Sequence, residues 1–115
     1  MYVAYIRLSW TNSVNIDSAE GGNKPGVLWR VINKTGVEFV KGELMYLTGG
    51  VLEEFSPTRM EFSTKNMMVD ESVVNNMFVK LTAENGSTST CVIHLIEDNM
   101  ASLACTGFSA PPAQP

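Results

Sequence analysis

Apolar and polar residues alternate with a period of two along most of this chain, which is the signature of strands with one buried face. Residues 2–10 show it first, with Tyr2, Ala4, Ile6, Leu8 and Trp10 on one side and Val3, Tyr5, Arg7 and Ser9 on the other. The strongest block is 77–105, where three alternating runs are separated by Asn85-Gly86 and Asp98-Asn99. Asn-Gly between such runs signals a hairpin, because both residues tolerate the positive φ of a type I′ turn.

A two-residue turn closed by Glu84 and Ser87 sets Leu81 opposite Thr90, Val79 opposite Val92 and Met77 opposite His94. A two-residue turn at Asp98-Asn99 then sets Ile96 opposite Ala101, His94 opposite Leu103 and Val92 opposite Cys105. In that register Met77, Val79, Leu81, Val92, His94, Ile96, Ala101, Leu103 and Cys105 share a core face. Phe78, Ile93, Leu95 and Met100 form an apolar end on the opposite face. Burying each of these four is worth about 1.5–3 kcal/mol, so the patch calls for cover by residues 64–76 or by a second subunit.

The remaining chain reads as further hairpins. Residues 11–25 are polar and end in Gly21-Gly22-Asn23-Lys24-Pro25, which predicts a loop, either a connection or a lid over a binding mouth. Strands at 27–33 and 37–41 flank Lys34-Thr35-Gly36, and a bulged three-residue loop there aligns Val27, Trp29 and Val31 with Val37 and Phe39. Strands at 43–48 and 51–56 flank Gly49-Gly50, placing Leu44 with Phe55 and Tyr46 with Glu53 on one face. Pro57 stops the second of these, and 60–63 resumes an extended segment. Asp70 followed by Glu71 fits the N-cap and first turn of a single short helix.

About eight short strands with no sustained helical period predict an all-β fold. The architecture is a small antiparallel barrel or two-sheet sandwich with meander-like hairpins and at most one short helix. At 115 residues the chain makes one domain over 1–107. The tail 108–115, with Pro111, Pro112 and Pro115, is extended or disordered.

Composition narrows the function classes. The net charge is −4 and the eight basic residues are scattered, which argues against a nucleic-acid surface. No uninterrupted apolar segment is long enough to span a bilayer and no basic leader precedes an apolar run, so the expectation is a soluble cytoplasmic protein. Cys91 and Cys105 fall on opposite faces in the register above, which predicts two reduced thiols rather than a bridge. Asn33-Lys34-Thr35 and Asn85-Gly86-Ser87 match the glycosylation sequon but read as turn chemistry.

Candidate chemistry is sparse. His94 is the single histidine, and its expected neighbours Met77, Val92, Ile96 and Leu103 suit a structural role better than a general base. Glu53 and Glu54 are adjacent in a strand and point to opposite faces, so they cannot act as a carboxylate pair. One histidine and two separated thiols make no metal site, and neither Gly-Gly pair fits a phosphate loop. An enzyme using His94 with Glu53 or Tyr46 is therefore the weakest reading, and no cofactor is expected.

The leading reading is a non-enzymatic β module acting through self-association, as a dimer, or through binding another protein, with Phe78, Ile93, Leu95 and Met100 as the interface. The alternative is a small apolar ligand inside the barrel. Trp10, Trp29, Tyr46 and Phe55 would then line the cavity, with Glu53 and His94 as its polar groups and the 11–25 loop over its mouth.

Overall fold

Strand β1, Ile6–Asp17, begins where the alternation is cleanest, and Ile6, Leu8 and Trp10 are buried as that pattern requires. The structure, a computed structural model, describes residues 5–17, 22–56 and 61–106. The chain continues through β2 (Asn23–Asn33), β3 (Phe39–Tyr46), β4 (Val51–Phe55) and β5 (Glu61–Lys65). Helix α1 (Glu71–Val74) follows, then β6 (Met77–Ala83), β7 (Thr88–Glu97) and β8 (Met100–Cys105). All eight strands join one antiparallel sheet in the order β4-β3-β6-β7-β8-β1-β2-β5, curled into a nearly closed barrel. The tail lies outside the described residues.

Neighbours in sequence form the hairpin β3–β4 and the meander β6–β7–β8, as expected, and a hairpin β1–β2 that the sequence did not announce. Two connections are longer. β2 pairs with β1 and β5 rather than β3, so residues 34–38 are not the bulged hairpin expected from the sequence. They carry the chain across one end of the barrel, folded on Asn33, whose Oδ1 accepts from the Thr35 amide and hydroxyl while its Nδ2 donates to the Val37 carbonyl. Residues 66–76 cross the other end. Asn12 holds them by a two-point clamp, accepting from the Val69 N–H at 2.8 Å and donating to the Val69 carbonyl at 2.9 Å. The Asn66 and Leu47 amides add bonds to the Pro25 and Asn76 carbonyls, and Val69 and Val74 plug the barrel end.

The expected 11–25 loop is mostly strand. Val14, Asn15, Ile16 and Asp17 pair with Gly26, Pro25, Lys24 and Asn23. Beyond a bulge at Asn12-Ser13, with Ser13 at φ 60°, β1 and β2 run on as a two-stranded arm. Residues 18–21 lie outside the described set.

Turn geometry overturns the other register assignments. The Asn85-Gly86 turn closes between Ala83 and Ser87, with Gly86 at φ 88°, so its loop is three residues long. This slips β7 by one: Val79 lies opposite Cys91 and Leu81 opposite Ser89. A one-residue slip turns every side chain over. Cys91 and Ile93 are therefore buried while Val92, His94 and Ile96 face outward. The Gly49 turn obeys the same rule, closing between Tyr46 and Gly50 with Gly49 at φ 104°, and it sets Gly42 opposite Phe55 and Leu44 opposite Glu53. In both, a glycine at the left-handed position completes a type I turn and bulge.

At Asp98-Asn99 the two-residue turn forms as expected, but Ile96 bulges out of the ladder. Cys91 thereby comes opposite Cys105, and the two form a disulfide with Cα atoms 3.9 Å apart. The expectation of two free thiols is corrected: the slip that turns over β7 also brings both sulfurs to one face.

The barrel seam is sealed by rings rather than by a ladder. β4 and β5 are the two ends of the sheet order. Inside the barrel Trp10, Trp29, Phe62 and Phe55 form a band crossing from β1 to β4, with successive ring centroids 5.7, 5.8 and 4.6 Å apart. The Phe55–Phe62 stack spans the seam. Phe55 lies over Gly42, where a side-chain methyl would come within 2.3 Å of the ring. Trp29 Nε1 donates to the buried Thr64 hydroxyl at 2.9 Å.

Candidate functional site

The aromatic residues expected to line a cavity instead fill the core. Trp10 and Trp29 are 2% and 0% exposed and pack on each other, and Phe55 is buried against Phe62. Tyr46 sits at the barrel end opposite Met77, partly exposed, and Glu53 is half-buried beside Leu44. His94 is exposed on the outer face opposite Ser102, away from both. The six residues proposed for ligand binding are thus not gathered around one space.

The four proposed interface residues also separate. Ile93 and Leu95 point inward: Ile93 belongs to the core, and Leu95 packs against it near the end that α1 covers. Phe78 and Met100 remain on the outside, but on different rungs, because Phe78 pairs with Val92 and Met100 pairs with Glu97 and Ser9. The cause is the slip in β7.

That slip creates a surface the alternation alone did not reveal. Reading outward side chains along one rung, Val51 of β4 lies beside Met45 of β3, Met45 beside Phe78 of β6, Phe78 beside Val92 of β7, and Val92 beside Ala104 of β8. Five apolar residues on five successive strands make a continuous outer row. Val92 is 60% and Val51 50% exposed, and Met45 and Phe78 are half-buried between them. Exposed apolar strips on the outside of a filled barrel are candidates for contact surfaces. The next rung, Glu54, Glu43 and Lys80, is charged and gives the row a polar margin; Lys41 and Glu43 approach to 3.7 Å there.

A second feature lies at the foot of the arm. Ser13, Pro25, Gly26, Asn66, Met67 and Met68 line an open groove of about 470 Å³. Its backbone is unusual, since Ser13 and Asn66 are the non-glycine residues with positive φ among the described residues. It is open to solvent and lacks the enclosure a small-molecule site needs.

Among the described residues no group of His, Cys, Asp and Glu could hold a metal ion, and no helix is long and apolar enough to cross a membrane. Bonds from the Ser72 hydroxyl and the Val73 N–H hold the Asp70 carboxyl below the usual value. It acts as the α1 cap, which is a structural task. Comparison with family models, with curated proteins and with solved structures finds no match to this chain.

The signal for the outer row was present in the two cysteines. Pairing Cys91 with Cys105 forces the β7–β8 register that places Val92 beside Ala104, while Phe78 joins them through the β6–β7 register set at the Asn85-Gly86 turn.

Proposed function

We propose that this chain is a non-enzymatic β module that works by protein contact, and that a second copy is its first partner. The observation carrying this reading is the outer row of Val51, Met45, Phe78, Val92 and Ala104, a continuous apolar strip with a charged margin. Interfaces concentrate their energy in such apolar and aromatic centres and surround them with polar rims. Two-fold pairing is the commonest closed arrangement, and it needs only one surface. The ligand-carrying alternative has less behind it, because the rings it needs are stacked on one another.

The cytoplasmic expectation came from the lack of a basic leader and of a bilayer-spanning apolar run, and reduced thiols were expected to go with it. A bridged Cys91–Cys105 instead favours an oxidising compartment.

Light scattering of the full chain across a wide concentration range tests the reading. Mass should rise from monomer to dimer, and Val92→Asp should remain monomeric with an unchanged urea midpoint, since the side chain is already largely in water. Val40→Asp, exposed but off the row, should dimerise normally. A strict monomer at millimolar concentration overturns the proposal.

A further inference from the structure

β7 is apolar on both faces, and the connections at both of its ends can close one residue differently. In the fold, Glu84-Asn85-Gly86 forms a loop between Ala83 and Ser87, and Ile96 bulges out of the ladder to β8. A slip of β7 by one residue, with β6 and β8 kept in place, changes both together. Asn85-Gly86 becomes a two-residue turn closed by Glu84 and Ser87, Ile96 comes opposite Ala101, and the bulge heals. Val79 then faces Val92 instead of Cys91, and Leu81 faces Thr90 instead of Ser89.

The slipped strand fills the same core. Thr90 takes the inward place of Ser89, Val92 that of Cys91, His94 that of Ile93 and Ile96 that of Leu95. Thr and Val are each about one methyl larger than Ser and Cys, and Ile is an isomer of Leu, changes that a core absorbs at modest cost. The remaining exchange puts an imidazole among apolar neighbours, which disfavours the slipped register by about tenfold. The bonds of Thr106 to Ser89 and Thr90 also belong to the register of the fold, each worth about fivefold. The Cys91–Cys105 bridge is of another order, because it exists in one register alone. The slip turns Cys91 outward and sets Val92 opposite Cys105, so a closed bridge excludes it.

We infer that β7 is a two-register strand and that the Cys91–Cys105 bridge is the redox-sensitive pin that selects between the registers. Cys105 is exposed and Cys91 is buried, so a small dithiol enters at Cys105. Its thiolate bonds to the Cys105 sulfur, and Cys91 leaves as a thiolate and takes up a proton. The second thiol of the reagent then displaces Cys105, which is protonated in turn, and the electron pair gained by the bridge is the one the dithiol loses on becoming a cyclic disulfide. The consequence appears on the surface. Ile93 replaces Val92 beside Phe78, so the outer row survives the slip and the inference stands apart from the contact reading. Next to the row Leu95 replaces His94, and the exposed face gains a large apolar side chain where it had an imidazole.

Nuclear magnetic resonance of the full chain reads the register from cross-strand Overhauser contacts. The discriminating protein is His94→Leu, which removes the imidazole by changing an exposed side chain. With the bridge closed it should keep the Val79–Cys91 and Leu81–Ser89 contacts of the parent. Dithiothreitol should replace them with Val79–Val92 and Leu81–Thr90 contacts, and reoxidation should bring the first set back. The reduced parent should favour the slipped register about tenfold less than the reduced variant. A reduced His94→Leu protein that keeps Val79 opposite Cys91, or that unfolds, overturns the inference. Neither result bears on the dimer, which is tested on the bridged protein.

Discussion

Gly42→Ala probes the seam of the barrel with the smallest change available. The added methyl would lie within 2.3 Å of the Phe55 ring, closer than real side-chain carbons approach, so the ring must move. Moving it breaks the 4.6 Å stack on Phe62 that closes β4 onto β5. Loss of the stack is worth about 0.5–1.5 kcal/mol, and forcing an extra methyl into a packed core costs about 1–3 kcal/mol. Against this, alanine in a strand interior is better than glycine by about 0.5–1 kcal/mol. The net expectation is a loss of about 1–3 kcal/mol. In a Phe55→Ala background the obstruction is gone, and the same substitution should be neutral or stabilising. Urea unfolding of the four proteins, followed by the fluorescence of the buried tryptophans, measures the coupling. A value near 2 kcal/mol, equivalent to about 1 M in midpoint for a domain of this size, supports the ring-sealed seam. Coupling below about 0.5 kcal/mol would refute it.

Unreduced protein unfolded in urea should show no thiol reactive toward Ellman's reagent, and replacing both Cys91 and Cys105 with Ala should cost about 2–3 kcal/mol, given a cross-link across 14 residues. Two reactive thiols would contradict the register of β7 and β8. For Asp70, a carboxyl held below 3.8 in the fold contributes stability that is present above that value and lost as the pH falls through the folded one. Asp70→Asn should therefore unfold more readily than the parent at pH 6 and show a smaller difference at pH 3; a difference that grows on acidification would reverse the sign and remove the capping argument.

The alternation of residue types was enough to determine the fold class, because a period of two leaves strands as the one element able to separate an apolar face from a polar one. It located most of the strands and, through Asp70 and Glu71, the single described helical turn. Local hairpins were legible for the same reason, since turn residues declare themselves by the φ values they tolerate.

What the chain pattern could not decide was register. Asn85-Gly86 serves a two-residue turn and a bulged three-residue turn equally well, and the difference of one residue exchanges the inside and outside of β7. Both faces of that strand are apolar, so the sequence carried no penalty for the wrong choice. The choice was made across the sheet, where Leu44, Val79, Cys91 and Ile93 fit one core and Cys91 meets Cys105. Breaker residues at 23–25 likewise read as a loop until pairing across the arm supplied partners for their backbone. The outer row, and with it the candidate site, exists only because strands distant in sequence are in register, which is a property of the closed sheet and of no single segment.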